Sequence, residues 1–162
     1  MNATVQSAFR ASSPFVRDAA AAFIAENTFD RPTLVIDRAR VARQYDALSS
    51  GLGKARIHYA VKANPAPEII RLLVDKGSRF DAASRAEIEL CLSQGALAED
   101  ISFGNTIKRP ADIAFAWSVG VTKFVADSDA ELAKIAEHAP GAQVYLWVIV
   151  ENSMADWPLS RK

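Results

Sequence analysis

Lys62 stands near the end of an apolar stretch, in HYAVKANP at residues 58–65, with Asn64 and Pro65 just behind it. An ammonium in that place costs solvation energy unless it snorkels, pairs with an anion or reacts. Along a strand, side chains alternate between the two faces. Ile57, Tyr59 and Val61 then form one set, and His58, Ala60 and Lys62 the other. With the apolar set against helices, Lys62 points to the opposite face, above the small Ala60. Partial burial there lowers a lysine's pKa and frees its amine for attack on an aldehyde. The small Ala60 leaves room for a planar ring. The plainer reading of Lys62 is a solvated lysine at a strand end.

A second candidate is Asp81, in RFDAAS at residues 79–84. If Phe80 packs outward, Asp81 points inward near Lys62. Its carboxylate could pair with the lysine or with a cationic intermediate; a cap or a structural ion pair is the alternative. Asn64 and Asn105 also follow strand ends, where asparagine commonly makes turns. Ser84 reads as a helix cap. His138 suits a helix C-terminus, and His58 reads as a packed or hydrogen-bonded residue. The residues offer no metal site and no Ser-His-Asp arrangement. Cys91 and Trp117 lie at helical spacing among apolar residues and read as core.

These residues need a scaffold, and the pattern around them supplies one. Residues 14–27 read as a helix, Leu34–Ile36 as a short strand, and residues 38–53 as an amphipathic helix. From residue 56 onward, strands and helices alternate, and the helices stop at Gly77, Gly95, Gly120 and Gly141. Tyr59, Asp81, Phe103, Val125 and Leu146 mark five strands, separated by 22, 22, 22 and 21 residues. Ser84 with Glu87 and Ser128 with Glu131 form Ser-x-x-Glu capping boxes at two helix starts. Strand and helix at this spacing make right-handed βαβ units and a parallel sheet. A doubly wound sheet and a (β/α)8 barrel both fit, but no Gly-x-Gly-x-x-Gly follows any strand, and the even unit length favours the barrel. Barrel chemistry sits at the C-terminal rim of the strands, where Lys62 and Asp81 stand.

A full barrel needs eight units and about 250 residues. The expected organisation is therefore an arm and helix at 1–30, followed by the first part of an α/β barrel at 31–162, ending before closure. Open strand edges on such a piece invite association.

Composition sets further bounds. The chain has 162 residues, with 19 basic and 19 acidic side chains, so no charge excess points to nucleic acid or to an anionic membrane surface. No stretch approaches a transmembrane helix. The single cysteine excludes an internal disulfide and suits a reducing compartment. The first residues lack the apolar core of a secretory signal, and a cytoplasmic location is expected.

Four segments in order, HYAVKANP, RFDAASRAEIELCLSQGA, ISFGNTIKRPADI and FVADSDAELAKIAEHAPGAQVYL, resemble the alanine-racemase-like (fold type III) enzymes that use pyridoxal 5'-phosphate. Within that family the ornithine/lysine decarboxylases are the most similar group, and FGNTIK looks more like the ornithine-type members than diaminopimelate decarboxylases. The resemblance runs from about residue 31 to the end. It implies that Lys62, in the position of the Tyr-Ala-Val-Lys lysine, carries the cofactor covalently. It places Asp81 near the cofactor. It also implies decarboxylation of ornithine or lysine to a diamine such as putrescine, and a homodimer completed by a β-domain absent from these residues. One departure stands out: the family usually has a cofactor-binding arginine where Trp147 stands. A neutral, bulky side chain there removes a charge-assisted contact and crowds the site. Two other readings follow, a catalytically inactive truncated relative and a non-enzymatic barrel that only binds the cofactor. On the first reading, the 162 residues alone are expected not to turn over.

Overall fold

The structure, a computed structural model, describes residues 17–148. The expected start of the first helix at Pro14 and the far end of the fifth strand lie outside the described residues. Two compact units divide the chain, Met1–Ala47 and Leu48–Lys162.

In the first unit, helix α1 spans Arg17–Glu26. Phe23 meets Phe29 with ring centroids 6.2 Å apart. These two rings, with Leu34 and Ile36, line an apolar groove. Leu34–Ile36 is extended but forms no strand. Among the described residues it has no hydrogen-bonded neighbour, and a strand exists only by pairing; Leu34 is accordingly 83% exposed. Helix α2, Arg38–Leu52, begins at Asp37, whose carboxylate accepts from the Arg40 amide at 3.1 Å.

The second unit carries the alternating pattern. Its strands are β1 (His58–Ala60), β2 (Arg79–Ala82), β3 (Ile101–Phe103), β4 (Lys123–Ala126) and β5 (Gln143–Leu146). Between them run α3 (Pro67–Asp75), α4 (Arg85–Ser93), α5 (Pro110–Ser118) and α6 (Asp129–His138). All neighbouring strands are parallel, and the sheet order is β1-β2-β3-β4-β5. A doubly wound sheet reverses its order at a switch point; this one never does. The order is that of the first five strands of a barrel, as expected.

Register assigns the faces. Tyr59 pairs with Phe80, Phe80 with Ile101, and Phe103 with Phe124. Phe80, Ile101, Phe103 and Phe124 are essentially inaccessible to solvent. Each covering helix adds one fully buried isoleucine, namely Ile70, Ile88, Ile113 and Ile135. Burying each such side chain is worth about 1.5–3 kcal/mol. Cys91 belongs to this core, whereas Trp117 lies at its margin and is only half-buried. The opposite face carries Ala60, Asp81 and Ser102 in one row. Here Tyr145 is exposed, and so is His58. His58 is thus not the packed residue the pattern suggests, because no described residue covers its face at that end.

The predicted glycine stops hold after α3, α4 and α5, where Gly77, Gly95 and Gly120 directly follow the cap; α6 is instead capped at Ala139, two residues before Gly141. Gly120, for instance, has φ +94°, and a Cβ there would stand 3.2 Å from Ala98 Cβ. The two capping boxes diverge. Ser84 Oγ accepts from the Glu87 amide at 3.3 Å, and Glu87 reaches back to the Ala83 amide at 2.7 Å. Ser128 makes no side-chain cap. Its intended partner, Glu131, is committed elsewhere.

Candidate functional site

The strand carrying Lys62 is shorter than expected. It ends at Ala60, and Val61–Ala63 form a 3-10 turn closed by the Asn64 amide on the Val61 carbonyl at 3.2 Å. Pro65 forces its predecessor out of the helical region, and Asn64 is extended, with φ −160° and ψ 102°. Strand alternation therefore stops before Lys62 and cannot set its direction. Val61 is fully buried, while Lys62 is exposed. Among the described residues, Lys62 makes no hydrogen bond and no ion pair. The burial expected for this amine is absent; its position at the C-terminal end of β1 is as expected.

Asp81 pairs in register with Ala60 and with Ser102. It lies on the same sheet face as Ala60, two residues before Lys62, and is half-buried. Its Oδ1 accepts from Ser102 Oγ at 3.4 Å, and that hydroxyl is also 3.2 Å from the Phe80 carbonyl. Gly104 sits against the carboxylate: a Cβ on Gly104 would fall 2.6 Å from Asp81 Cγ and 2.8 Å from Oδ2. Asp81 is thus held at the rim with an anionic edge in a cradle that only glycine leaves open.

Asn64 and Asn105 serve turns. Asn64 Oδ1 accepts from the Ala66 amide at 3.0 Å, and Asn105 Oδ1 from the Ile107 amide at 3.2 Å. Asn105 Nδ2 also donates to the Ala83 carbonyl at 3.3 Å, beyond the end of β2. Tyr59 donates its hydroxyl to the Asn64 carbonyl at 3.3 Å, and burial raises its pKa against that hydrogen bond. Trp147 follows β5, its amide donating to the Ala126 carbonyl at 2.9 Å. Its side chain is 60% exposed.

One polar group went unnoticed in the sequence. Lys108, in the loop after β3, has a fully buried side chain. Its Nζ donates to the Asn105 carbonyl at 2.8 Å and the Val125 carbonyl at 2.6 Å, and lies 2.8 Å from Glu131 Oε1. Lys134 holds the other Glu131 oxygen at 2.5 Å. Burial would raise the Glu131 carboxyl; the hydrogen bonds and charges of Lys108 and Lys134 outweigh it and hold the group below its ordinary value. Burial pulls Lys108 down, against the hydrogen bond and charge of Glu131.

Among the described residues no cluster of His, Cys, Asp or Glu could hold a metal ion, and no helix is long and apolar enough to cross a membrane.

Residues 38–162 match the family model described as pyridoxal-dependent decarboxylase, pyridoxal binding domain. The chloroplastic ornithine decarboxylase of Nicotiana glauca is 41% identical over 116 residues, 72% of this chain and 27% of that protein. The lysine/ornithine decarboxylase of Selenomonas ruminantium is 34% identical over 131 residues, 81% of this chain and 33% of that protein. Among solved structures, the lysine/ornithine decarboxylase of Vibrio vulnificus complexed with putrescine superposes with a TM-score of 0.71 at 32% identity, over 78% of this chain and 35% of that one. The chain thus spans about a third or less of the length of these relatives. An unreversed parallel sheet, an amine and a carboxylate on neighbouring strand ends, and a family match over most of the chain lead to one assignment: the chain belongs to the pyridoxal-dependent decarboxylases and corresponds to their pyridoxal-binding domain, pyridoxal phosphate being the family's cofactor.

Proposed function

We propose that this chain binds pyridoxal phosphate at the rim formed by the ends of β1, β2 and β3, and that the whole protein decarboxylates a basic amino acid, ornithine or lysine, to its diamine. The observation that carries this reading is the pairing of Ala60 with Asp81, which sets an anionic side chain two residues from the exposed amine of Lys62. The residues suit the group. Lys62 offers a nucleophilic amine to an aldehyde, Ala60 leaves a low floor beside it, and the cradle at Gly104 keeps the Asp81 carboxylate turned to the rim. When bound, pyridoxal phosphate supplies the electron sink that lets the substrate carboxylate leave as carbon dioxide.

The chain's own residues would divide the remaining work. Lys62 Nζ would hold the cofactor through its aldehyde, as the chain's nucleophilic amine at the rim. Asp81, an acceptor fixed by Ser102, favours positive charge on groups beside it. The relatives matched above, ornithine and lysine/ornithine decarboxylases, support the substrate class. A homodimer is part of this proposal on the resemblance, and a cytoplasmic location on the single cysteine, which suits a reducing compartment.

The test is release of labelled carbon dioxide from carboxyl-labelled ornithine and lysine by the natural polypeptide with pyridoxal phosphate, with Lys62→Ala as control. Release that depends on Lys62 supports the reading; release unchanged by the substitution removes Lys62 from it. The resemblance also supports a second reading, a relative without turnover, since it aligns Trp147 with a position where the family usually has an arginine that binds the cofactor. Cofactor binding without carbon dioxide release would decide for it.

A further inference from the structure

The Lys108–Glu131 pair does more than close a loop. Residues 104–108 connect the C-terminal ends of three strands. The Gly104 amide donates to the Ala82 carbonyl at 2.8 Å, tying β3 to β2. Asn105 Nδ2 donates to the Ala83 carbonyl at 3.3 Å. Lys108 Nζ then holds the Asn105 carbonyl and the Val125 carbonyl of β4 together, at 2.8 and 2.6 Å. Its third direction goes to Glu131 Oε1, which also accepts from the Lys108 amide at 3.2 Å. The Lys108 carbonyl accepts from Lys134 Nζ at 2.6 Å. Every polar atom of Lys108 is engaged, and its ammonium has all three donors used.

A buried ion pair is a costly way to stabilise a loop. Apolar residues of similar volume commonly serve as well or better. What apolar side chains cannot do is draw two carbonyls to one point. One of those carbonyls, that of Asn105, belongs to the segment that begins at Gly104, the residue against the Asp81 carboxylate; the other, that of Val125, belongs to β4. The row from Lys108 through Asn105 and Gly104 to Asp81 is continuous.

We propose that Lys108 is a positioning residue for the cofactor rim: by holding the Asn105 and Val125 carbonyls it keeps Gly104 pressed against Asp81, and so fixes where the Asp81 carboxylate lies. The proposal rests on the reading of Lys62 and Asp81 given above. Lys108 itself touches neither cofactor nor substrate in this account.

The discriminating variant is K108M/E131L, which removes both charges and keeps the volume. It should lose less stability than Lys108→Met or Glu131→Leu alone, because no charge is left fully buried and Lys134 is partly exposed, while the carbonyls of Asn105 and Val125 lose a donor. If Lys108 positions the rim, the Gly104 and Ile107 amides of the cofactor-free chain exchange hydrogen about tenfold faster in this variant. The pyridoxal phosphate concentration for half-maximal borohydride-trapped labelling of Lys62 rises by a similar factor. Wild-type exchange and wild-type labelling in the double variant would overturn the proposal and leave the reading of Lys62 standing. No labelling of Lys62 in the wild type would overturn that reading, and the proposal with it. If the double variant does not fold, K108Q/E131Q removes the same ammonium and likewise leaves no charge fully buried; unchanged labelling of Lys62 there would equally overturn the proposal.

Discussion

The carboxylate of Asp81 occupies the space that a Cβ on Gly104 would need, with Asp81 Cγ only 2.6 Å from that position. A residue on β2 therefore dictates what the chain places just past β3. The same contact sets the Asp81 carboxylate at the rim rather than deeper in the sheet.

Gly104→Ala should destabilise the protein by about 1–3 kcal/mol, the usual cost of overpacking. The cost has a specific origin, so Asp81→Ala should recover most of it. Denaturant unfolding of the two single variants and the double variant gives the coupling. Additive losses would mean that the contact does not constrain the two residues.

Glu131 gives a pH dependence with a definite sign. Its carboxyl is held below the ordinary value in the folded chain, so its contribution to stability is present above the ordinary carboxylate range and is lost as pH falls through the lowered value. Glu131→Gln should be less stable at neutral pH and should lose less on acidification. Glu131→Leu strands Lys108 as a buried cation and should cost roughly 3–5 kcal/mol. Thermal unfolding across acidic pH checks both; parallel acid limbs for wild type and Glu131→Gln would contradict the account.

Cys91 should be inert while the fold is intact. It is fully buried, and burial, with the nearby charge of Glu87, pushes its thiol up to about 12. Its thiolate fraction at neutral pH is then roughly a thousandfold below that of an ordinary thiol. Labelling by a thiol reagent should be slow in the native chain and fast in denaturant. Equal rates would show that α4 opens freely.

Under the proposed reading of Trp147, Trp147→Arg should strengthen pyridoxal phosphate binding by about tenfold, since it adds a charge-assisted donor at that position. Titration of cofactor absorbance measures it. Unchanged or weaker binding would mean that Trp147 does not face the cofactor.

Much of this arrangement was readable beforehand, and the parts that were not share a cause. Local signals worked: the spacing of Tyr59, Asp81, Phe103, Val125 and Leu146 matches the strand order, and the cap at Ser84 forms. Signals that depend on distant partners failed. Ser128 and Glu131 have the spacing of a capping box, but Glu131 is claimed by Lys108, 23 residues earlier in the chain. In sequence, Lys108 is one of two adjacent basic residues in a short loop; only the fold reveals its burial. Leu34–Ile36 has strand composition and no paired neighbour among the described residues. Lys62 stands at a strand end, as its sequence context indicates, but strand alternation does not set its direction, because the 3-10 turn at Val61 interrupts it.

The most direct test of the central claim is to mix the purified chain with pyridoxal phosphate, reduce with borohydride, and map the modified peptide by mass spectrometry. The account predicts modification at Lys62, lost in Lys62→Ala. Label scattered over surface lysines, or persisting elsewhere unchanged in Lys62→Ala, would contradict it.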